Sequence, residues 1–213
     1  MNALSPPGAG LPIQPRTGLL LASRSEARHR MLQAAGVAFE AADAELDESE
    51  AKVGLVAAGF EPRDLAEMLA EMKARSVRAP GDALILGADQ VLEQDDGSIL
   101  SKPASREDAL AQLRSLSGRT HFLHSAAAIV ERGERVWGRT ETVALRVRPL
   151  SDSYLEDYLD QEYEQIRFCV GGYRIEGPGI QLFDEIDGSH FAILGLPMLP
   201  LLAFLRERRI LPR

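Results

Sequence analysis

The sequence is poor in the residues from which several common kinds of site are built. Its 213 residues include a single cysteine, Cys169, so neither an intrachain disulfide nor a metal site made of several thiolates is available. The longest apolar stretch, FAILGLPMLPLLAFL, is too short to cross a membrane and contains two prolines. GxGxxG, GxSxG, and GxxxxGK followed by Ser or Thr are also absent, which removes the usual support for Rossmann, α/β-hydrolase and P-loop chemistry.

The net charge and the N-terminal residues further limit which ligands and which cellular location we expect for this protein. The chain carries 32 Asp and Glu against 24 Lys and Arg, a formal net charge of -8, which argues against a general affinity for nucleic acid or an anionic membrane. An anionic ligand would therefore need a local cluster of Arg and Lys. Residues 1–17 lack the apolar core of a signal peptide and predict a flexible extension. With the single cysteine, this leads us to expect a cytoplasmic protein.

Strand and helix patterns alternate in the first half of the chain and are followed by a long hairpin, which predicts an α/β fold with a mixed sheet. Apolar runs predict strands at residues 19–22 and 83–88, and periodicity with capping residues predicts helices at 26–35 and 65–77. The remaining predictions are strands at 122–131 and 136–148, extended segments at 37–39 and 166–175, helices at 106–116, 151–161 and 197–208, and an acidic loop at 43–52.

The stretch GADQVLEQDDGSILSKP places an acid, Asp89, at the end of a buried strand and a Lys-Pro pair beyond a hairpin turn. Ligands of α/β proteins bind at the carboxyl ends of strands, where a carboxylate can hold a divalent cation or orient a water. Lys102 could fold back towards Asp89, while Gln90 would point to the opposite face of a continuing strand. Both charged residues also have ordinary explanations, as a turn aspartate and a solvated hairpin lysine.

A second candidate is ASRSEAR, where a short strand leads through a serine-rich turn into a helix. Free N–H groups at a helix N-terminus bind phosphate readily, Ser23 and Ser25 can donate hydrogen bonds, and Arg28 could reach the same anion. Taken alone, the segment is better explained as an ordinary helix capped by Ser25, because serine is common in such turns.

Other polar features have ordinary explanations as well. The acidic run is typical of a solvated surface, although one of its carboxylates could bind metal. Lys73 lies late on its predicted helix, where a cation interacts favourably with the negative end of the helix dipole. The glycine-rich GGYRIEGPG, which contains Glu176, allows close backbone approach or two tight turns. A spacing of three along a strand puts His121 and His124 on opposite faces and predicts no metal pair. Cys169 in an apolar strand predicts a core thiol.

The order of these segments is more specific than any one of them. LLLASRSEARHRMLQAAGVAFE, LDES, GADQVL, SKP, SGRTH, VRPLS, GGYRIEG and ILGLP follow one another as in the Maf family, which the chain resembles over nearly all of residues 18–210. The resemblance implies an elongated mixed α/β sheet flanked by helices, in one domain at 18–213 with two lobes around a central cleft. It also implies a nucleoside triphosphate pyrophosphatase that uses Mg²⁺ or Mn²⁺, forms a homodimer and releases a nucleoside monophosphate and pyrophosphate.

The same resemblance assigns roles to residues at matching positions. Asp89 takes the position of the catalytic carboxylate that activates water in the family. Either Glu48 or Asp89 would ligate the metal. The phosphate-binding positions are occupied by Ser23, Arg28, Lys73 and Lys102. A triphosphate carries about four negative charges, so its hydrolysis needs cations around the leaving pyrophosphate and a water aligned with the α-phosphorus. These side chains, with Arg119 as a further candidate, would supply the positive charge.

Three positions associated with substrate choice in the family are here Ala27, Gln90 and Glu176. Gln90 and Glu176 are similar to the branch that hydrolyses 7-methyl-GTP, whereas the pyrimidine branch tends to carry Thr and Gln. Ala27 departs from both, because the family loop reads Ser-Pro-Arg-Arg or Ser-Pro-Trp-Arg and alanine cannot stack on a base. Ser101 is a second departure, since glycine usually precedes the Lys-Pro pair.

We therefore expect 7-methyl-GTP as the substrate, with dTTP or UTP as the alternative. A different class of function is a nucleotide-binding regulator of cell division, because the family has been associated with septum formation. An acid among several cations favours the enzyme, since binding alone would not require it.

Overall fold

The computed structural model describes residues 18–79 and 82–212. In chain order the strands are β1 (Leu19–Ala22), β2 (Glu40–Ala41), β3 (Leu84–Gln94), β4 (Ile99–Leu100), β5 (Thr120–Glu131), β6 (Glu134–Val147) and β7 (Phe183–Asp187). The helices are α1 (Glu26–Ala34), α2 (Glu48–Ala57), α3 (Pro62–Ser76), α4 (Arg106–Leu116), α5 (Asp152–Ile166), α6 (His190–Ile193) and α7 (Met198–Glu207). The predicted flexible extension, 1–17, lies outside the described residues. None of the helices described is long and apolar enough to span a membrane.

A mixed sheet joins these strands in the order β2-β1-β3-β5-β6-β7, with β4 paired to β3. β1 runs parallel to both of its neighbours, and the other pairs are antiparallel. The predicted α/β class, a mixed sheet flanked by helices, is confirmed. The division of residues 18–213 into two lobes stays a prediction.

The sheet is open on one edge of β3, beside Asp89. One edge of this strand pairs with β5 along its whole length. The other edge pairs with β1 only as far as Gly87, and with β4 only from Leu92 onwards. Residues 88–91 therefore have no strand neighbour on that edge, and the opening lies at the carboxyl end of β1, where α/β proteins bind their ligands.

Apolar clusters cover the two faces of β3 and set the direction of its side chains. Leu86 and Ala88 belong to a cluster with β1, α1 and α7, whereas Val91 packs against α3. Because side chains alternate along a strand, Asp89 points to the α3 side and Gln90 to the opposite side. A separate cluster packs α4 and α5 against the far ends of β5 and β6.

The predicted acidic loop at 43–52 is wrong in its second half, where α2 begins at Glu48. Asp47 caps this helix, because its Oδ1 accepts hydrogen bonds of 3.0 Å from the backbone N–H groups of Ser49 and Glu50. Carboxylates at a helix N-terminus accept hydrogen bonds from free N–H groups and interact favourably with the positive end of the helix dipole. The acidic run therefore marks a helix start.

The predicted extended segment at 166–175 is also wrong. α5 continues to Ile166, and the chain then turns through a short 3₁₀ helix, Val170–Gly172, with positive φ angles of 77° at Gly171 and 68° at Gly172. Cys169 lies half-buried in this turn, so the prediction of a core thiol in an apolar strand is wrong as well. The short elements β7 and α6 were not predicted, because neither has a periodic pattern long enough to detect.

His121 and His124, in β5, contact different groups. His121 Nε2 lies 2.7 Å from the hydroxyl of Tyr173, whereas the His124 ring lies 2.7 Å from Glu93 and 2.9 Å from Thr142. Both histidines are buried, and their rings bond to different partners.

Candidate active site

Lys73 joins two carboxylates at the open edge of β3. Its ammonium group donates to Asp89 Oδ1 and lies 3.0 Å from Glu48 Oε2. The three side chains come from α3, the unpaired stretch of β3 and the first turn of α2. Lys73 is 7% exposed and Asp89 13%, so their attraction is less screened by water than that of the half-exposed Glu48. These three predicted site residues therefore meet in the structure.

Gly87 makes this meeting sterically possible. A methyl group on Gly87 would lie 2.8 Å from the backbone nitrogen of Ala74 in α3, and closer still to the carbonyl oxygen of Ala70. Gly87 and Asp89 share one face of β3 because they are two residues apart. The close approach of helix to strand at Gly87 therefore carries Lys73 to Asp89.

Arg28 fills the gap that β1 leaves beside β3. Its Nη1 donates to Ser23 Oγ at 3.2 Å and to the carbonyl oxygen of Ala88 at 3.1 Å, and its Nε donates to the carbonyl oxygen of Gly195 at 2.9 Å. Ser25 caps α1, as predicted, by accepting from the Arg28 backbone. Within the described residues Nη2 has no hydrogen-bond partner, so one face of this anchored guanidinium remains available to an anion.

The charged groups of the site shift one another's pKa values. Burial tends to raise the pKa of Glu48, but Lys73, Lys102 and Arg28 together hold it below its ordinary value. Burial lowers the pKa of Arg28, while Asp89 and Glu48 oppose that change. Arginine stays protonated regardless, so the site contains both signs of charge at neutral pH.

Of the remaining predicted cations, one lies near this cluster and one does not. Lys102 follows β4, is exposed and makes no hydrogen bond or ion pair within the described part of the chain, but its charge acts on Glu48. Arg119 pairs with Asp95 at 3.3 Å, beyond the far end of β3, so the structure does not bring it to the site.

Lys52 was missed by the sequence reasoning. Its Nζ donates to Ser101 Oγ at 3.0 Å and to the carbonyl oxygen of Leu100 at 3.3 Å. Burial lowers the pKa of Lys52; the nearby charge of Asp89 opposes this shift and that of Lys102 adds to it. Its position four residues after Glu48 would have indicated the site, had α2 been predicted.

Gln90 lies on the opposite face of β3 from Asp89, as predicted. Its Nε2 lies 2.8 Å from Ser125 Oγ and 3.0 Å from each of the carbonyl oxygens of Ala192 and Ile193. Carbonyl oxygens only accept, so the amide nitrogen must face them. Among the described residues Oε1 has no partner, and it is the amide atom left to accept a hydrogen bond from a ligand.

The other two predicted specificity residues lie at α1. Glu176 is exposed and pairs with Arg30 at 3.2 Å, which ties the glycine-rich segment to this helix. Ala27 is half-buried three residues before Arg30, a spacing that places both on one side of α1. The carboxylate of Glu176 is therefore partly neutralised already.

The carboxylates of the site suit a metal ion only if a bound substrate supplies further oxygen ligands. Among the described residues, no group of three or more His, Cys, Asp or Glu side chains is placed to hold a metal. Glu48 and Asp89 are the two carboxylates that meet at Lys73. Mg²⁺ is commonly bound through one or two carboxylates, with water and substrate phosphates as its other ligands. The pair suits that arrangement rather than an all-protein cage.

A depression of about 260 Å³ lies elsewhere, at the C-terminal end of α1. None of the candidate site residues lines this depression. It is lined by Ala35, Gly36, Ala38, Leu202, Arg206, Ile210, Leu211 and Pro212.

Comparison with known proteins decides the family. The model of the family described as Maf-like protein matches residues 18–208. The chain belongs to the Maf family. The resemblance found in the motif order is therefore confirmed.

Relatives within the Maf family match over nearly the whole chain. A protein of Sphingopyxis alaskensis named nucleoside triphosphate pyrophosphatase is 46% identical over 197 residues, 92% of this chain and 99% of its own length. One of the same name from Ruegeria pomeroyi is 48% identical over 195 residues, 91% of this chain and 97% of its own. A protein of Rhizobium meliloti named 7-methyl-GTP pyrophosphatase is 46% identical over 190 residues, 89% and 95% of the two chains.

Proposed function

We propose that this protein is a nucleoside triphosphate pyrophosphatase, a hydrolase that cleaves the α–β phosphoanhydride bond to give a nucleoside monophosphate and pyrophosphate. The observation that carries the proposal is the ion pair of Asp89 and Lys73 at the unpaired edge of β3, with Arg28 anchored beside it. A carboxylate surrounded by cations suits a polyanionic substrate that a water must attack. The names of the Maf relatives support the same reaction.

The contacts and charges of these residues support a role for each of them. Asp89 Oδ1 is held by Lys73, which leaves Oδ2 to accept a proton from the water that attacks the α-phosphorus. As the new P–O bond forms, the bond to the bridging oxygen breaks and pyrophosphate leaves with the electron pair. Arg28 and Lys102 would neutralise the charge that develops on this leaving group, and Ser23 would bind a phosphate oxygen.

Glu48 and Asp89 are the residues that would hold a divalent cation, either Mg²⁺ or Mn²⁺, together with oxygens of the triphosphate. Such an ion, when bound, supplies positive charge to the phosphates. Lys73 would keep the two carboxylates in place before the ion and substrate arrive, because it contacts both.

For the base we favour 7-methylguanine. Gln90 Oε1 and the carboxylate of Glu176 are two acceptors, and guanine offers two adjacent donor groups, N1–H and the 2-amino group. Uracil and thymine offer a single N3–H between two carbonyl groups. The name of the Rhizobium meliloti relative agrees with this choice. Ala27, which provides no stacking surface, is the observation in favour of a pyrimidine substrate.

The test is a panel of GTP, 7-methyl-GTP, UTP, dTTP and 5-methyl-CTP with Mg²⁺ or Mn²⁺, in which products are separated and identified. We expect 7-methyl-GMP and pyrophosphate as the fastest products. Faster turnover of UTP or dTTP would overturn the base assignment but keep the reaction. Release of phosphate and a nucleoside diphosphate would overturn the reaction. No hydrolysis by folded protein would favour the nucleotide-binding regulator. A homodimer and a cytoplasmic location stay predictions.

A further inference from the structure

Lysine is rare in this chain, and its distribution is uneven. Only three of the 24 basic residues are lysines: Lys52, Lys73 and Lys102. Two of them belong to the proposed site, and the third contacts the segment directly before Lys102. Lysine differs from arginine in being a compact point charge with three donors on a flexible stem. The three lysines therefore lie in or beside the proposed site, and the other 21 basic residues are arginines.

The contacts of Lys52 join two separate segments. Lys52 lies on α2, four residues after Glu48, so both side chains are on one face of that helix. Its Nζ donates to the carbonyl oxygen of Leu100 and to the hydroxyl of Ser101, which are the two residues immediately before Lys102. Lys52 therefore connects the helix that carries Glu48 to the segment that carries Lys102.

Apolar packing alone fixes α2 weakly. None of its residues is buried, and Val53 is 70% exposed. Ala51 and Leu55 are only partly buried, against α3. The polar contacts made by Glu48 and Lys52 are therefore a large part of what sets the position of this helix relative to α3 and to the segment before Lys102.

We propose that Lys52 is a positioning residue for the reaction, which holds the Leu100–Ser101 backbone against α2 so that Lys102 faces the pyrophosphate portion of the substrate. This inference rests on the proposed function. Lys52 would act through Lys102 rather than by touching the reacting atoms. Displacement of a catalytic group by about 1 Å can cost on the order of 10²-fold in rate, so loss of this contact should be measurable.

The test is a double-mutant cycle of Lys52→Met and Lys102→Met, measured as kcat/KM for the best nucleotide and as the affinity for inorganic pyrophosphate by calorimetry. We expect Lys52→Met to lower kcat/KM by roughly 10-fold or more in the wild-type background, but by less than about 2-fold when Lys102 is already Met. Lys52→Arg, which keeps the charge and can reach the same acceptors, should recover most of the loss. Arg114→Met, which removes an exposed cation paired with Asp152, is the control expected to change nothing.

Two results of the kcat/KM measurements would overturn the inference. They are an unchanged Lys52→Met enzyme, and an equal loss in both backgrounds, which would indicate a general structural effect. Pyrophosphate binding separates this failure from failure of the proposed function. If Lys102→Met leaves pyrophosphate affinity unchanged, the phosphate-binding role of Lys102 is wrong and the inference falls with it. If Lys102→Met weakens binding and Lys52→Met does not, only the inference is wrong.

Discussion

Gly87 is the position where a single added methyl group should move Lys73 on α3 away from Asp89 on β3. It faces α3, where an alanine side chain would lie 2.8 Å from the backbone nitrogen of Ala74 and closer still to the carbonyl oxygen of Ala70. Both neighbours are helix backbone atoms, so no side chain can rotate away to relieve the contact. The Gly87→Ala variant must therefore move α3 away from β3, or bend one of them.

The size of this movement sets the expected effect. Restoring ordinary van der Waals separation needs a shift of roughly 1 Å, and a shift of that size in a catalytic group can lower a rate by about 10²-fold. Lys73 would move with α3, while Asp89 stays on β3. Overpacking of a tight interior typically costs about 1–3 kcal/mol of stability. We expect Gly87→Ala to show both effects while remaining folded.

The assay compares kcat/KM and the free energy of unfolding in urea for wild type, Gly87→Ala and Gly54→Ala. Gly54 lies in α2 with no atom within 4 Å of the site of a methyl group, so its replacement should leave stability unchanged or raise it by about 0.5–1 kcal/mol. Full activity and full stability in Gly87→Ala would refute the claim that close helix–strand contact positions Lys73.

Two further predictions concern protonation and the base. Burial lowers the pKa of His121 to about 4, against about 6.5 in an unfolded chain, so the unfolded state binds the proton first. The free energy of unfolding should thus fall by roughly 3 kcal/mol as pH drops from 6.5 through 4. An NMR titration of the His121 ring centred near 6.5 would contradict this. Separately, Ala27→Trp should favour 7-methyl-GTP over UTP by about 5- to 150-fold, because stacking contributes roughly 1–3 kcal/mol. An equal change in kcat/KM for both nucleotides would contradict the placement of Ala27 near the base.

Features governed by local chemistry could be predicted from the sequence. The cap formed by Ser25 depends on a hydroxyl three residues before the N–H that it binds. The first strand, β1, is short and wholly apolar between polar neighbours, so its bounds were predicted correctly. The order of short motifs identified the family, because many weak local matches in one sequence order are specific together.

Contacts between distant segments could not be predicted in the same way. Gln90 bonds to a carbonyl group 102 residues away in α6, an element too short to have a periodic pattern. The role suggested for Lys52 depends on α2, which was hidden because acidic residues can indicate either a solvated loop or a helix N-terminus. The importance of Gly87 follows only from the helix that packs against it.

The measurement that tests the central claim most directly is the rate of pyrophosphate release by Asp89→Asn beside wild type, on the nucleotide that wild type hydrolyses fastest. Loss of a general base typically lowers a rate by about 10²–10⁴-fold, and we expect a loss of at least that size. Binding of inorganic pyrophosphate should persist, because Arg28 and Lys102 remain. An Asp89→Asn enzyme within a few-fold of wild type would contradict the assignment of the active site to Asp89 and Lys73.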